Sequence, residues 1–191
     1  MEELTVDALL ERIKSDDANV RTEAWQAAGK VGAAAVKPLA GIVAGGDLEV
    51  ARAAKRAMWK IVRTVGAPGV TDEKTAVLEA LGGLLGDDQP AAVRREVLWM
   101  ISELGCCGAV PPIAALVANQ ELREDARAVL QRIPGPASLA ALKDALESVP
   151  DDFKINIAQS LRARGVEVDE AKYPCQKLVP VKQTAVKPVG R

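Results

Sequence analysis

Apolar residues recur along this chain at helical spacing, and the same pattern returns five times. From Val20, the residues Ala24, Ala27, Ala28 and Val31 follow at +4, +7, +8 and +11, which is one face of a helix. Val50 is followed at the same offsets by Ala54, Ala57, Met58 and Ile61, Val93 by Val97, Met100, Ile101 and Leu104, and Leu122 by Ala126, Val129, Leu130 and Ile133. Phe153, with Ile157, Ser160, Leu161 and Arg164, is a weaker copy, as a terminal repeat tends to be. A more hydrophobic helix is predicted ahead of each, near Val6–Lys14, Ala33–Val43, Lys74–Leu85, Val110–Val117 and Ser138–Leu146. The reference residues are 30, 43, 29 and 31 positions apart, and the long interval holds Gly66-Ala67-Pro68-Gly69 with longer flanking helices.

The punctuation agrees with this reading. Asp16-Asp17, Gly45-Gly46-Asp47, Gly86-Asp87-Asp88 and Pro150-Asp151-Asp152 fall where first helices end and second helices begin. Glycine ends a helix by tolerating positive φ, and aspartate caps the free N–H groups of the next. Capping explains these aspartates better than calcium, since no EF-hand spacing accompanies them. Pro111-Pro112 and Pro136 fall at predicted first turns, where a missing N–H costs least. The expected fold is therefore all-α: a short right-handed α-solenoid of about five antiparallel helix pairs over residues 1–165, then an extended tail over residues 166–191.

Composition sharpens this. The three tryptophans, one tyrosine and one phenylalanine are too few for a sheet-rich fold. There is no histidine, which removes imidazole-dependent nucleophile pairs and common zinc sites, so no catalytic residue, cofactor or metal is expected and the balance leans against an enzyme. Three cysteines, Cys106, Cys107 and Cys175, form no CxxC spacing. Together with an acidic start and no apolar leader, they point to a cytoplasmic protein without a membrane partner. Cys106-Cys107 read as small buried hydrophobes at a helix start.

The stretch from Asp16-Asp17-Ala18-Asn19-Val20-Arg21 through Ala24, Ala27, Ala28, Gly29, Val31 and Gly32 to Ala35-Val36-Lys37-Pro38-Leu39 resembles the HEAT repeat. Within the armadillo-type helical superfamily it is most similar to the HEAT-like repeats first grouped with phycobilisome lyases. Asp87-Asp88 with Val93-Arg94 and Leu104-Gly105 resembles it again, as does Leu122-Arg123 with Ala126; the second repeat departs from it with Ala51 in place of the arginine. The resemblance spans roughly residues 4–165 and implies a concave surface lined by the second helix of each pair. It leaves function open, because scaffolds, adaptors, lyase chaperones and DNA-repair enzymes share such repeats.

At about 100° per residue, offsets +2, +5, +6 and +9 point away from the apolar face. In the five repeats these positions hold all three tryptophans and six basic residues against one acid, Glu124, which places the remaining acids in turns, on first helices and at the N-terminus. Tryptophan and arginine together are the composition of a binding surface. The expected concave site is Trp25, Arg52, Lys55, Arg56, Trp59, Arg95, Trp99 and Arg127, facing an acidic peptide or protein. Trp25 and Trp99 stand on helix flanks, from where they either face a ligand or wedge between repeats, and the cations are either a site or a solvated face. Arg21, Arg94 and Arg123, at offset +1, read as structural.

The alternative is a nucleic-acid or anionic-ligand binder. By resemblance to HEAT-like DNA glycosylases, Trp99 and Glu103, four apart, would be cast as the stacking ring and the carboxylate, although a net charge of −1 does not favour phosphate neutralisation. A chaperone-like lyase subunit holding a tetrapyrrole is a third reading. From Ala171 onward the tail has five positive charges and no acid, and its Val179, Val181, Val186 and Val189 serve either a partner or the open end of the last repeat.

Overall fold

The computed structural model describes residues 4–70, 72–105 and 107–175, for Cys107 the backbone alone. Ten α-helices occupy them, with no strand among the described residues: α1 (Val6–Ile13), α2 (Ala18–Ala27), α3 (Val36–Gly45), α4 (Leu48–Val65), α5 (Asp72–Gly82), α6 (Ala91–Leu104), α7 (Val110–Leu116), α8 (Arg123–Arg132), α9 (Pro136–Ser148) and α10 (Asp151–Ala163). Consecutive helices pair as the apolar spacing predicts. The first helices α1, α3, α5, α7 and α9 form one layer and the second helices α2, α4, α6, α8 and α10 the other. Each second helix packs on its own first helix and on the second helices before and after it, which makes a stack of hairpins, an α-solenoid. One continuous aliphatic core from Leu9 to Leu161 fills the space between the layers.

Small side chains bring neighbouring repeats close. Gly29 abuts Thr64 of α4 so tightly that a Cβ there would stand 2.2 Å from the threonine hydroxyl oxygen. The capping expectation holds at two of the four predicted starts. Asp17 accepts from the Asn19 N–H at 2.8 Å and Asp47 from the Val50 N–H at 2.9 Å. At α6 and α10 the cap positions are Pro90 and Pro150, and the neighbouring aspartates are used otherwise: Asp87 pairs with Arg94, Asp151 with Lys154 and Asp152 with Arg123. Positive φ is found at Gly105, the left-handed cap of α6, and at Gly165 after α10; Gly46, which caps α3, has φ −79°. Pro136 opens α9 and prolines occupy the first turn of α7, as expected.

The chain after Gly165 does not leave the fold at once. Val166 and Val168 pack against the core, Tyr173 is buried, and Arg162 donates to the Tyr173 carbonyl. Residues 166–175 thus cover the flank of α10 that a sixth repeat would otherwise cover. The remaining tail, with Val179, Val181, Val186 and Val189, and Cys106 lie outside the described residues.

Candidate functional site

Second helices carry two kinds of flank. Offset +5 faces the following repeat: Lys55 reaches Glu96, and Arg127 reaches Ser160. Offset +3 faces the preceding repeat, and that is where Glu96 and Asp125 stand. Glu96 accepts from Lys55 Nζ at 3.0 Å through one oxygen and from Trp59 Nε1 at 3.2 Å through the other. Asp125 repeats the arrangement one level on, accepting from Arg95 Nε at 2.8 Å and Trp99 Nε1 at 3.1 Å. Lysine or arginine four residues before tryptophan puts both donors on one helix face, and the carboxylate of the next helix closes the rung.

These rungs correct the expected charge distribution: acids also lie on the second helices, between the cations assigned to the site. Arg52 is tied to Glu49 at 2.6 Å, and Arg127 lies within an extended network. Arg127 bonds Glu124 twice, through Nε at 3.0 Å and Nη2 at 2.5 Å, and reaches Gln131 and, on α10, Ser160; Asn156 donates to Glu124 from α10 as well. Burial alone would push the Glu124 carboxyl up. Hydrogen bonds from Arg127 and Asn156, with the charges of Arg127 and Arg123, prevail and hold it below its ordinary value.

A carboxylate with a depressed folded-state pKa stabilises fully above the ordinary glutamate range, about 4.3, and that contribution is lost as pH falls through the lower folded-state value. The Glu124 carboxyl carbon, followed by NMR, is expected to titrate at lower pH than the same carbon in an Arg127→Met variant. Equal midpoints would show that Arg127 is not what depresses it.

The tryptophans divide. Trp25 wedges against the core and its Nε1 is buried without a hydrogen-bond partner. At offset +3 of the next repeat, where later repeats carry Glu96 and Asp125, stands Ala53. Trp99 lies under Arg132, whose guanidinium carbon is 5.7 Å from the ring centroid and whose Nη2 donates to Glu103 at 2.8 Å. Glu103 is thereby spent on α8. Of the outward positions, Leu98, Ser102 and Ala158 are buried: the first two belong to a helix flanked on both sides, and Ala158 lies on the flank of α10 toward residues 166–175.

The offset +1 arginines are structural, as read from the sequence. Arg21 donates to the Ser15 and Asp16 carbonyls, Arg94 pairs with Asp87, and Arg123 pairs with Asp152 while lying 4.6 Å over the Phe153 ring.

What remains unspent gathers on α4. Arg56 is exposed with no partner among the described residues, and Lys60 and Arg63 meet no carboxylate. Arg63 stacks on Trp59 at 5.6 Å. Spacings of four and three residues place all three cations along one side of the helix, next to the indole. Lys60, at offset +10, is not at one of the four outward offsets, and Arg63, at +13, lies beyond the repeated apolar segment because α4 runs 18 residues, to Val65. The 43-residue interval was the signal for that extension.

The described chain is thus a helix-pair repeat solenoid with three cations beside Trp59 on its longest helix. It is similar to solved structures of designed proteins: an engineered protein from the Northeast Structural Genomics Consortium (TM-score 0.45, 21% identity, covering 83% of this chain and 78% of that one). A designed armadillo repeat protein matches at TM-score 0.45 and 18% identity (83% and 81% covered), and a computationally designed armadillo repeat protein for modular peptide recognition at 0.43 and 18% (83% and 81%). No protein-family model matches the chain, and no curated protein matches it in sequence. Among the described residues no helix is long and apolar enough to cross a membrane.

Proposed function

We propose that this protein is a non-enzymatic interaction scaffold that binds an acidic segment of a partner protein along the exposed face of α4. One observation carries the reading: Arg63 stacks on Trp59, and Arg56, Lys60 and Arg63 share one side of α4 with no carboxylate partner among the described residues, while Arg52, Lys55, Arg95 and Arg127 are each paired with an acid and Arg162 is held by the Tyr173 carbonyl. Arginine and tryptophan at the centre of a patch supply contact area and directional donors together. Arg52 and Lys55, each about half exposed in its ion pair, extend the surface toward the start of the helix. The ligand is expected to run beside α4, with Trp25 and Trp99 supporting the stack rather than touching it.

A nucleic acid is favoured less. Three free cations neutralise about three phosphates, which gives modest affinity at physiological salt. Glu96 and Asp125, on the helices that follow, set negative charge beside any strand that continues across the row.

The test is Trp59 fluorescence titrated with a twelve-residue Asp/Glu-rich peptide, a single-stranded oligonucleotide and a bilin, the last because the lyase-type resemblance brings tetrapyrrole propionates to the same cations. The acidic peptide is expected to bind best, and Arg56→Glu with Arg63→Glu to weaken it at least tenfold with helix content unchanged. Equal peptide affinity in that double variant overturns the reading, as does tighter binding of either other ligand.

A further inference from the structure

Arg94 is the only buried charged side chain among the described residues, 7% exposed, and it is poorly supplied with acceptors. Its Nη2 meets Asp87 Oδ1 at 2.9 Å, and its Nε is buried with no hydrogen-bond partner. The equivalent arginines are better satisfied: Arg21 holds two carbonyls, and Arg123 combines a carboxylate with an aromatic face. Nε and Nη2 form one edge of the guanidinium fork, the edge a carboxylate can grip with both oxygens. Asp87 fills half of it. Its own side chain is 91% exposed, so it can swing into water when another carboxylate takes its place on the buried Arg94.

Arg94 lines a cleft. Between the end of α5, the α5–α6 turn and α7 lies an open space of about 500 Å³, lined by Arg94 and Asp87 together with Leu85, Pro112, Leu116 and Asn119. A buried cation with an unspent donor, an exposed carboxylate standing on its other donor and small apolar walls describe a ligand with an acid head and a short aliphatic body. We propose that this cleft is a monocarboxylate-binding site. The ligand's carboxylate takes both Nε–H and Nη2–H of Arg94, Asp87 is displaced to solvent, and the aliphatic body lies against Leu85, Pro112 and Leu116. A peptide C-terminus and a small free acid share this chemistry. The site lies apart from the cationic face of α4 and stands or falls independently of it.

The test follows the Arg94 Nε–Hε resonance by ¹H–¹⁵N NMR during titration with isobutyrate, and then with Ala-Ala-Val as the free acid and as the amide. A saturable shift is expected with isobutyrate, at least tenfold tighter in Asp87→Asn, which removes the internal competitor and keeps its shape. In Arg94→Lys, which keeps the charge but has no Nε–H edge, perturbation of the Leu85 and Leu116 methyl signals by isobutyrate is expected to vanish. Should that variant unfold, the Asp87→Asn comparison still decides. Binding of the free-acid peptide but not its amide identifies a chain terminus as the ligand; binding of isobutyrate alone identifies a small acid. A shift that grows linearly without saturation, or equal affinity in the native protein and Asp87→Asn, overturns the proposal.

Discussion

Replacing Leu98 by alanine is expected to destabilise the fold by about 3 kcal/mol, the scale of a buried leucine truncation that leaves a cavity. The side chain is completely buried. For a chain of this length the loss corresponds to a melting temperature lower by about 6–12 °C. On helical geometry alone Leu98 points away from the apolar face of α6, where truncation would cost under about 0.5 kcal/mol. The difference is the flanking helix: offset +5 is the side that the following repeat covers. Urea unfolding, followed by helix content and by the neighbouring Trp99, decides between the two values. A shift within about 0.5 kcal/mol would mean that this flank of α6 is open.

Arg164→Ala is expected to cost about 2–3 kcal/mol, on the scale of charge-assisted hydrogen bonds. Nη1 of Arg164 donates to the carbonyls of Leu130 (3.2 Å), Gln131 (3.3 Å) and Ile133 (2.8 Å) and to the Ser138 hydroxyl (3.1 Å), while Nη2 donates to the Gly135 carbonyl at 3.0 Å. Those carbonyls end α8 and lead into α9, where an α-helix leaves its last acceptors without partners. A guanidinium carries charge to the negative end of the helix dipole and spans acceptors that a single ammonium cannot. Arg164→Lys is therefore expected to restore less than half of the loss. Full restoration by lysine in the same unfolding measurement would reduce the role of Arg164 to its charge.

Arg164 also shows where a one-dimensional reading stops. Its place at offset +11 marks it as a failed apolar position in the last repeat, and so the pattern weakens there. In three dimensions the substitution is functional for the fold, because the partner carbonyls come from 29 to 34 residues earlier. The helices themselves were legible, since each buries its stripe in the one core between layers and periodicity reports that burial directly. Turns were half legible. Asp17 and Asp47 cap as their position suggests, but Asp87 is drawn to Arg94, and nothing local in the sequence announces a buried guanidinium.

The candidate site was legible in its residue types and not in its pairing. Trp59, Arg56 and Lys55 stand on the second-helix face, as helical geometry requires. That Lys55 would be spent on Glu96 depends on register between α4 and α6, which the 43-residue interval hides. Trp25 reads from the sequence as either ligand contact or wedge; in the fold its Nε1 is buried without a partner, and Ala53 stands where an acceptor would.

The rungs have a direction. In each, the earlier helix supplies ammonium or guanidinium with indole, and the later helix supplies the carboxylate. Modules of this chain are accordingly not interchangeable bricks. Duplicating the α3–α4 unit in tandem would set Ala53 opposite Lys55 and Trp59, and shuffling α5–α6 to the front would strand Glu96 with nothing to receive. Lengthening the array by inserting repeats requires a donor pair and an acid to be carried across every new junction together.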